Sequence, residues 1–168
     1  IAFMICIFVV IWYILYSFKS VKQFFFRGIA FTFYSFLAAG MAAIMLIPAY
    51  LGIKQTASGE SMSLPEHSFL TNAADLLNRQ WTPITHDNFD GNVNLYIGIF
   101  TVLAVVLYLL NSKIKISEKI KKVLLIGFFY LSFSEMILNF IWHGFHDQYG
   151  IPNRFSFLFG FVLLYMLW

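Results

Sequence analysis

Apolar residues fall into long unbroken runs, and the polar positions are gathered into short stretches between them. Five runs can be read: 1–18, 29–51, 93–110, 123–142 and 155–168. Each complete run approaches the 20 or so residues an α-helix needs to cross about 30 Å of hydrocarbon. The pattern predicts an all-α, polytopic transmembrane helix bundle of about five spanning helices. The first and last look truncated, so residues 1–168 are expected to be one transmembrane block from the interior of a longer protein. No signal peptide is read in the first run, which lacks a basic leading region and a small-residue cleavage site.

The polar stretches give the orientation. Lys19, Lys22 and Arg27 lie between the first two runs, and Lys113, Lys115, Lys119, Lys121 and Lys122 oppose a single Glu118 between the third and fourth. Basic loops stay inside. Residues 19–28 and 111–122 are therefore expected on the cytoplasmic side, and 52–92 and 143–153 outside. Trp12, Tyr13, Tyr16, Tyr50, Tyr96, Tyr108 and Trp142 fall near run ends, where an aromatic belt anchors helices at the interface.

The external segment 52–92 divides in two. Lys54 to Met62 reads as loop. From Ser63, a capping serine followed by Pro65 in the first turn predicts a helix near 64–79, with Phe69, Leu70, Ala73, Leu76 and Leu77 on one side and Asn72, Asp75 and Arg79 on the other. Such a helix lies on the membrane surface. In the second run, Ser35, Ala39 and Ala43 form a small-residue face for close helix packing, and Pro48 is expected to kink or end the helix.

Composition agrees with a bilayer: 60% of residues are hydrophobic and 11% charged, far from the quarter charged of soluble domains. The formal charge of +3 sits in the two short loops instead of a patch with stacking aromatics, so nucleic acid is not an expected partner. Cys6 is the only cysteine, which excludes an intrachain disulfide and a cysteine-based metal site. Asn88, Asp90, Asn92 and Asn94 alternate like oxygen ligands. The glycine is out of place for a calcium loop, however, and the distal glutamate is missing. There is no Walker loop, dinucleotide fingerprint, HExxH or nucleophile elbow.

Candidate chemistry concentrates between Ser132 and Phe157. Ser132, Glu135, Asn139, His143 and His146 recur at three- and four-residue intervals, which places them on one face of a continuous helix. Ser132, Glu135 and Asn139 form an intramembrane polar stripe. Serine and asparagine there often only hydrogen-bond a neighbouring helix, whereas a carboxylate within a bilayer is costly and marks a functional position. His143 and His146 are read either as solvated interfacial imidazoles or as proton-transfer groups or ligands. Gly144 and Gly150-Ile-Pro152 then break the helix, and Arg154 stands at the start of the last run, as a phosphate-binding guanidinium or an interfacial anchor.

Three stretches carry a family likeness: Asn94-Leu-Tyr-Ile-Gly-Ile-Phe, Ile141-Trp-His-Gly-Phe-His and Pro152-Asn-Arg-Phe-Ser-Phe-Leu-Phe-Gly-Phe. Together with the small-residue run from Leu37 to Pro48 they resemble the YfhO family of bacterial membrane proteins. The resemblance implies a multi-pass protein of the bacterial plasma membrane and a glycosyltransferase of the GT-C type. It would take sugar from a polyprenyl-phosphate carrier on the outer face and add it to a cell-envelope polymer such as a teichoic acid. Its partners would be the lipid bilayer, the lipid-linked sugar donor and the polymer acceptor. The family's acidic catalytic position is expected in an early external loop outside this stretch, so no catalytic residue is carried over and the stretch alone is expected to be inactive.

The chemistry of such a transfer calls for a base at the acceptor hydroxyl and positive charge at the departing phosphate. Arg154 suits the phosphate. His143, His146 and Asp147, or Asp87 and Asp90 from the other external loop, are the candidate bases, with a divalent cation as an optional cofactor and no metal ligand set assigned. Two other readings stay open: a transporter or lipid flippase with Glu135 as its intramembrane site and Pro48 as a gating break, and a noncatalytic membrane scaffold.

Overall fold

The computed structural model describes residues 1–55, 66–81, 94–145 and 153–167, except for the side chain at position 53. Among them the chain is all-α, with helices α1 (Ala2–Ser17), α2 (Val21–Lys54), α3 (Ala73–Trp81), α4 (Ile99–Leu110), α5 (Ile116–Ser134), α6 (Met136–Trp142) and α7 (Ser156–Tyr165). It divides into two compact units, one of Ile7–Met62 and one of Ile1–Cys6 with Ser63–Trp168.

In the first unit, α1 turns through Phe18, Lys19 and Ser20 into α2, whose start is tied by the Ser20 hydroxyl accepting from the Gln23 amide at 3.2 Å. The helix begins eight residues before the second apolar run and absorbs most of the expected basic loop. Nor does Pro48 end it, since α2 continues to Lys54. At 1.5 Å per residue its 34 residues extend about 51 Å, more than a bilayer core requires. By length and composition α2 is the one described helix able to cross a membrane, and none of its most apolar window is buried. On the small-residue face Ala39 is exposed, while Ser35 and Ala43 are half-buried.

The second unit has a packed centre. Phe155 lies flat between Trp142, at 4.8 Å and 9°, and Phe133, at 4.9 Å and 11°. Phe129 stacks on Trp142 at 5.6 Å, while Phe159 meets Phe129 and Phe133 edge-on. These rings come from α5, α6, α7 and the residue that precedes α7, and are fully buried or nearly so. Offset and edge contacts of this kind add about 0.5–1.5 kcal/mol per pair beyond the gain from burying their area. Trp142, expected at the interface, is instead 2% exposed at the core, because the chain turns just beyond it and folds Phe155 onto its ring.

Other boundaries also move. The helix expected near 64–79 starts at Ala73, because Asn72 caps it: its Oδ1 accepts from the Asp75 amide at 2.8 Å. Ser63 lies outside the described residues. α3 buries Leu76 and docks on α5 through Gln80, whose amide donates to the Tyr130 hydroxyl. The third run becomes helical only at Ile99, after Gly98 at φ 94°, a conformation that favours glycine. Lys119, Lys121 and Lys122, expected in a loop, are helical because α5 begins at Ile116. Lys122 is buried with its ammonium 4.0 Å from the Tyr165 ring centroid.

Candidate functional site

The expected continuous helix over 123–142 is two helices. Glu135 adopts an extended conformation, φ −102° and ψ 127°, closing α5 and opening α6. Nothing in the apolar periodicity marks this break, since Phe133, Met136 and Ile137 continue the run. Hydrogen bonding sustains it. The amide of Leu138, released from the Ser134 carbonyl, donates to Glu135 Oε2 at 2.7 Å, so the carboxylate caps α6. The Ser134 carbonyl accepts from the Leu70 amide at 2.7 Å instead, and the Met136 amide donates to the Ser68 carbonyl at 3.1 Å. Residues 68–70 thus lie antiparallel to the break and pair with it as a strand would. Phe69 and Leu70, expected on the buried side of a surface helix, are exposed in this extended segment.

Pairing of this kind satisfies backbone groups that a broken helix would leave bare, a requirement that is strict in a low-dielectric setting. It also re-aims the stripe. Glu135 Oε1 is buried and makes no hydrogen bond among the described residues, and His67 Nε2 lies 4.0 Å from it. Ser132 turns back into its own helix, donating to the Phe128 carbonyl at 2.8 Å. An open groove beside the break is lined by Phe69, Thr71, Asn72, Asp75 and Ser134.

A second cluster forms at the other end of α6. The Asn139 side-chain amide donates to the Asn153 side-chain carbonyl, and both residues are buried. Asn153 has φ 64°, a left-handed conformation that asparagine tolerates better than most residues, and it sets the turn that leads into α7. Arg154 follows directly and is exposed. His143 caps α6 and lies edge-on to Phe155 at 5.8 Å.

The protonation of His143 follows from its contacts. Its Nδ1 is 2.7 Å from the Asn139 carbonyl oxygen, which can only accept, so Nδ1 carries the proton. Burial pushes the imidazole below its ordinary range; the Asn139 hydrogen bond opposes this and the Arg154 charge adds to it. A neutral ring protonated on Nδ1 leaves Nε2 as a lone-pair base. That nitrogen is buried without a hydrogen bond among the described residues.

Asn139, His143 and Arg154 are therefore brought to one place, while Glu135 and Ser132 belong elsewhere. His146, Asp147, Asp87 and Asp90 lie outside the described residues. Sequence reasoning missed His67, Ser68 and Leu70 as partners of the break. Two of those contacts are made by backbone atoms, which leave no residue-type signal, and 64 or more positions separate the partners. Among the described residues no group of three or more His, Cys, Asp or Glu could hold a metal ion.

No curated protein and no solved structure matches the chain. The family model described as bacterial membrane protein YfhO matches residues 1–168. With its long uncovered apolar helix and a broken helix whose polar backbone is paired internally, the chain belongs to the YfhO family of bacterial membrane proteins.

Proposed function

We propose that the chain is part of a multi-pass glycosyltransferase of the GT-C type that moves sugar from a polyprenyl-phosphate carrier to a cell-envelope polymer on the outer face of the plasma membrane. The observation that carries this reading is the cluster at the end of α6. An exposed guanidinium follows a turn held by the buried Asn139–Asn153 hydrogen bond, beside a neutral histidine whose Nε2 is its basic nitrogen. Arg154 would grip the carrier's phosphate through two hydrogen bonds and stabilise the charge that develops as the sugar leaves. His143 would accept the acceptor's proton once local movement uncovers Nε2.

Sugar transfer by the full-length protein in membranes, normalised to its amount, tests the reading. Arg154→Lys keeps the charge but loses the fork, and transfer should fall roughly tenfold to a hundredfold, the kinetic equivalent of about 1.5–3 kcal/mol for a charged hydrogen bond. Undiminished transfer would remove Arg154 from the site. The sidedness has its own check. Cysteines at Gly59 and Gln148 should react with an impermeant reagent in intact cells, and cysteines at Ser20 and Ser117 should not, once Cys6 is replaced.

One observation favours a second reading, a transporter or flippase. Transporters build their sites at broken helices and use intramembrane carboxylates for protons or substrate, and Glu135 stands at such a break with one carboxylate oxygen lacking a hydrogen bond among the described residues. Proton-coupled uptake abolished by Glu135→Gln, with sugar transfer absent, would select it.

A further inference from the structure

The hairpin of α1 and α2 contains a groove of about 240 Å³ lined by Val9, Phe24, Phe31 and Gly28 together with Tyr13 and Arg27. Its lining is almost wholly apolar, yet two polar groups border it. The Tyr13 hydroxyl oxygen is buried and has no hydrogen-bond partner among the described residues. The Arg27 guanidinium lies 5.5 Å from the Tyr13 ring centroid and is exposed.

Charge makes the groove unusual. The sequence contains no acidic residue before Glu60, whereas Lys19, Lys22, Arg27 and Lys54 all lie in that stretch. This unit therefore offers Arg27 no carboxylate among its described residues, which suits the guanidinium to an anionic ligand. Position narrows the source. About 20 residues suffice to cross the hydrocarbon, so the 34-residue α2 overhangs it. Taking the apolar run that begins at Ile29 as the part within the hydrocarbon sets Arg27 at the level of the lipid head groups.

We propose that this groove is a binding site for an anionic phospholipid of the bilayer, distinct from the Arg154 cluster. One acyl chain lies against Val9, Phe24 and Phe31. The head-group phosphate accepts from the Arg27 guanidinium and from the Tyr13 hydroxyl, which gains the partner it lacks. Lys19 and Lys22 raise the local concentration of anionic lipid without touching the phosphate. Because Gly28 has no side chain, the chain can pass close to the backbone there.

Native mass spectrometry of the full-length protein, stripped of lipid in detergent and titrated with phosphatidylglycerol or phosphatidylcholine, tests the site. The intact protein should retain phosphatidylglycerol preferentially. Arg27→Gln should weaken that retention about tenfold, the expected worth of one charge-assisted contact. Gly28→Leu should abolish retention of one lipid by filling the groove. A Cβ at Gly28 meets nothing within 4 Å, and leucine suits a helix better than glycine, so this variant should fold. Tyr13→Phe should weaken binding a few-fold. Wild-type retention of phosphatidylglycerol by Gly28→Leu would overturn the proposal, as would equal affinity for the two lipids. Displacement of the lipid by soluble glycerol phosphate would also overturn it, by assigning Arg27 to a free phosphate.

Discussion

The α1–α2 hairpin and the α5–α6–α7 core are built from similar residues and held by different forces. In the core, Phe129, Phe133, Trp142, Phe155 and Phe159 are sealed against one another, the start of α6 is capped by Glu135, and Asn139 is bonded to Asn153. Along α2, Met41, Ile44 and Met45 are each more than three-quarters exposed. In water such a helix would be unstable. In a bilayer it is a satisfactory structure, because its backbone bonds are internal and lipid is as apolar as its side chains. Apolar burial therefore separates parts of a membrane protein poorly, and packing against other protein separates them well.

The largest expected effect tests that contrast directly. Phe155→Ala opens a cavity between two stacked rings and should cost about 3 kcal/mol, read from thermal or denaturant unfolding in detergent. Met41→Ala, on an exposed position of α2, should change stability by less than about 0.5 kcal/mol. Equal losses would mean that α2 is covered by further protein and would erase the distinction.

A smaller effect is expected where the core holds polar groups. Asn139→Ala leaves the Asn153 carbonyl buried without its donor and should cost about 1–3 kcal/mol. Adding Asn153→Gly, which keeps the left-handed turn and removes the buried carbonyl, should recover part of the loss, which a double-mutant cycle would report. If the single and double replacements cost the same as independent changes, the buried amide pair has no coupling and the Arg154 turn must be held by something else.

The smallest effect is a pH dependence from His143. Its folded-state pKa lies below the unfolded value of about 6.5, so the unfolded chain binds more protons between the two. Stability contributed by the neutral ring is full above pH ~6.5, falls as the pH drops through that value, and levels off below the folded pKa. His143→Gln should flatten this part of the unfolding profile. The α1–α2 hairpin contains no histidine and supplies no matching change.

How far these regions can be read from the chain alone differs in the same way. The first two apolar runs predict α1 and α2 well, because helix formation in apolar surroundings depends on local backbone bonding and on run length. Even there the start of α2 at Val21 and its passage through Pro48 were not evident. The candidate residues around Glu135 are conspicuous in sequence, since a carboxylate inside an apolar run is costly wherever it sits. Their arrangement is not. The spacing from Ser132 to His143 describes one face only if the helix is continuous, and it is not continuous at Glu135.

The sequence by itself determined the all-α class, the apolar runs, the polarity of the connecting stretches and the presence of Glu135, Asn139, His143 and Arg154 in one region. Those properties reside in residue type and local spacing. Tertiary structure alone decided that Ser68 and Leu70 replace the lost helical partners at Glu135, that Trp142 turns inward onto Phe155, and that Asn139 meets Asn153. Each depends on atoms brought together across the chain. The backbone groups at the break carry no side-chain identity, and the free energy that holds them appears only once the distant segment has docked.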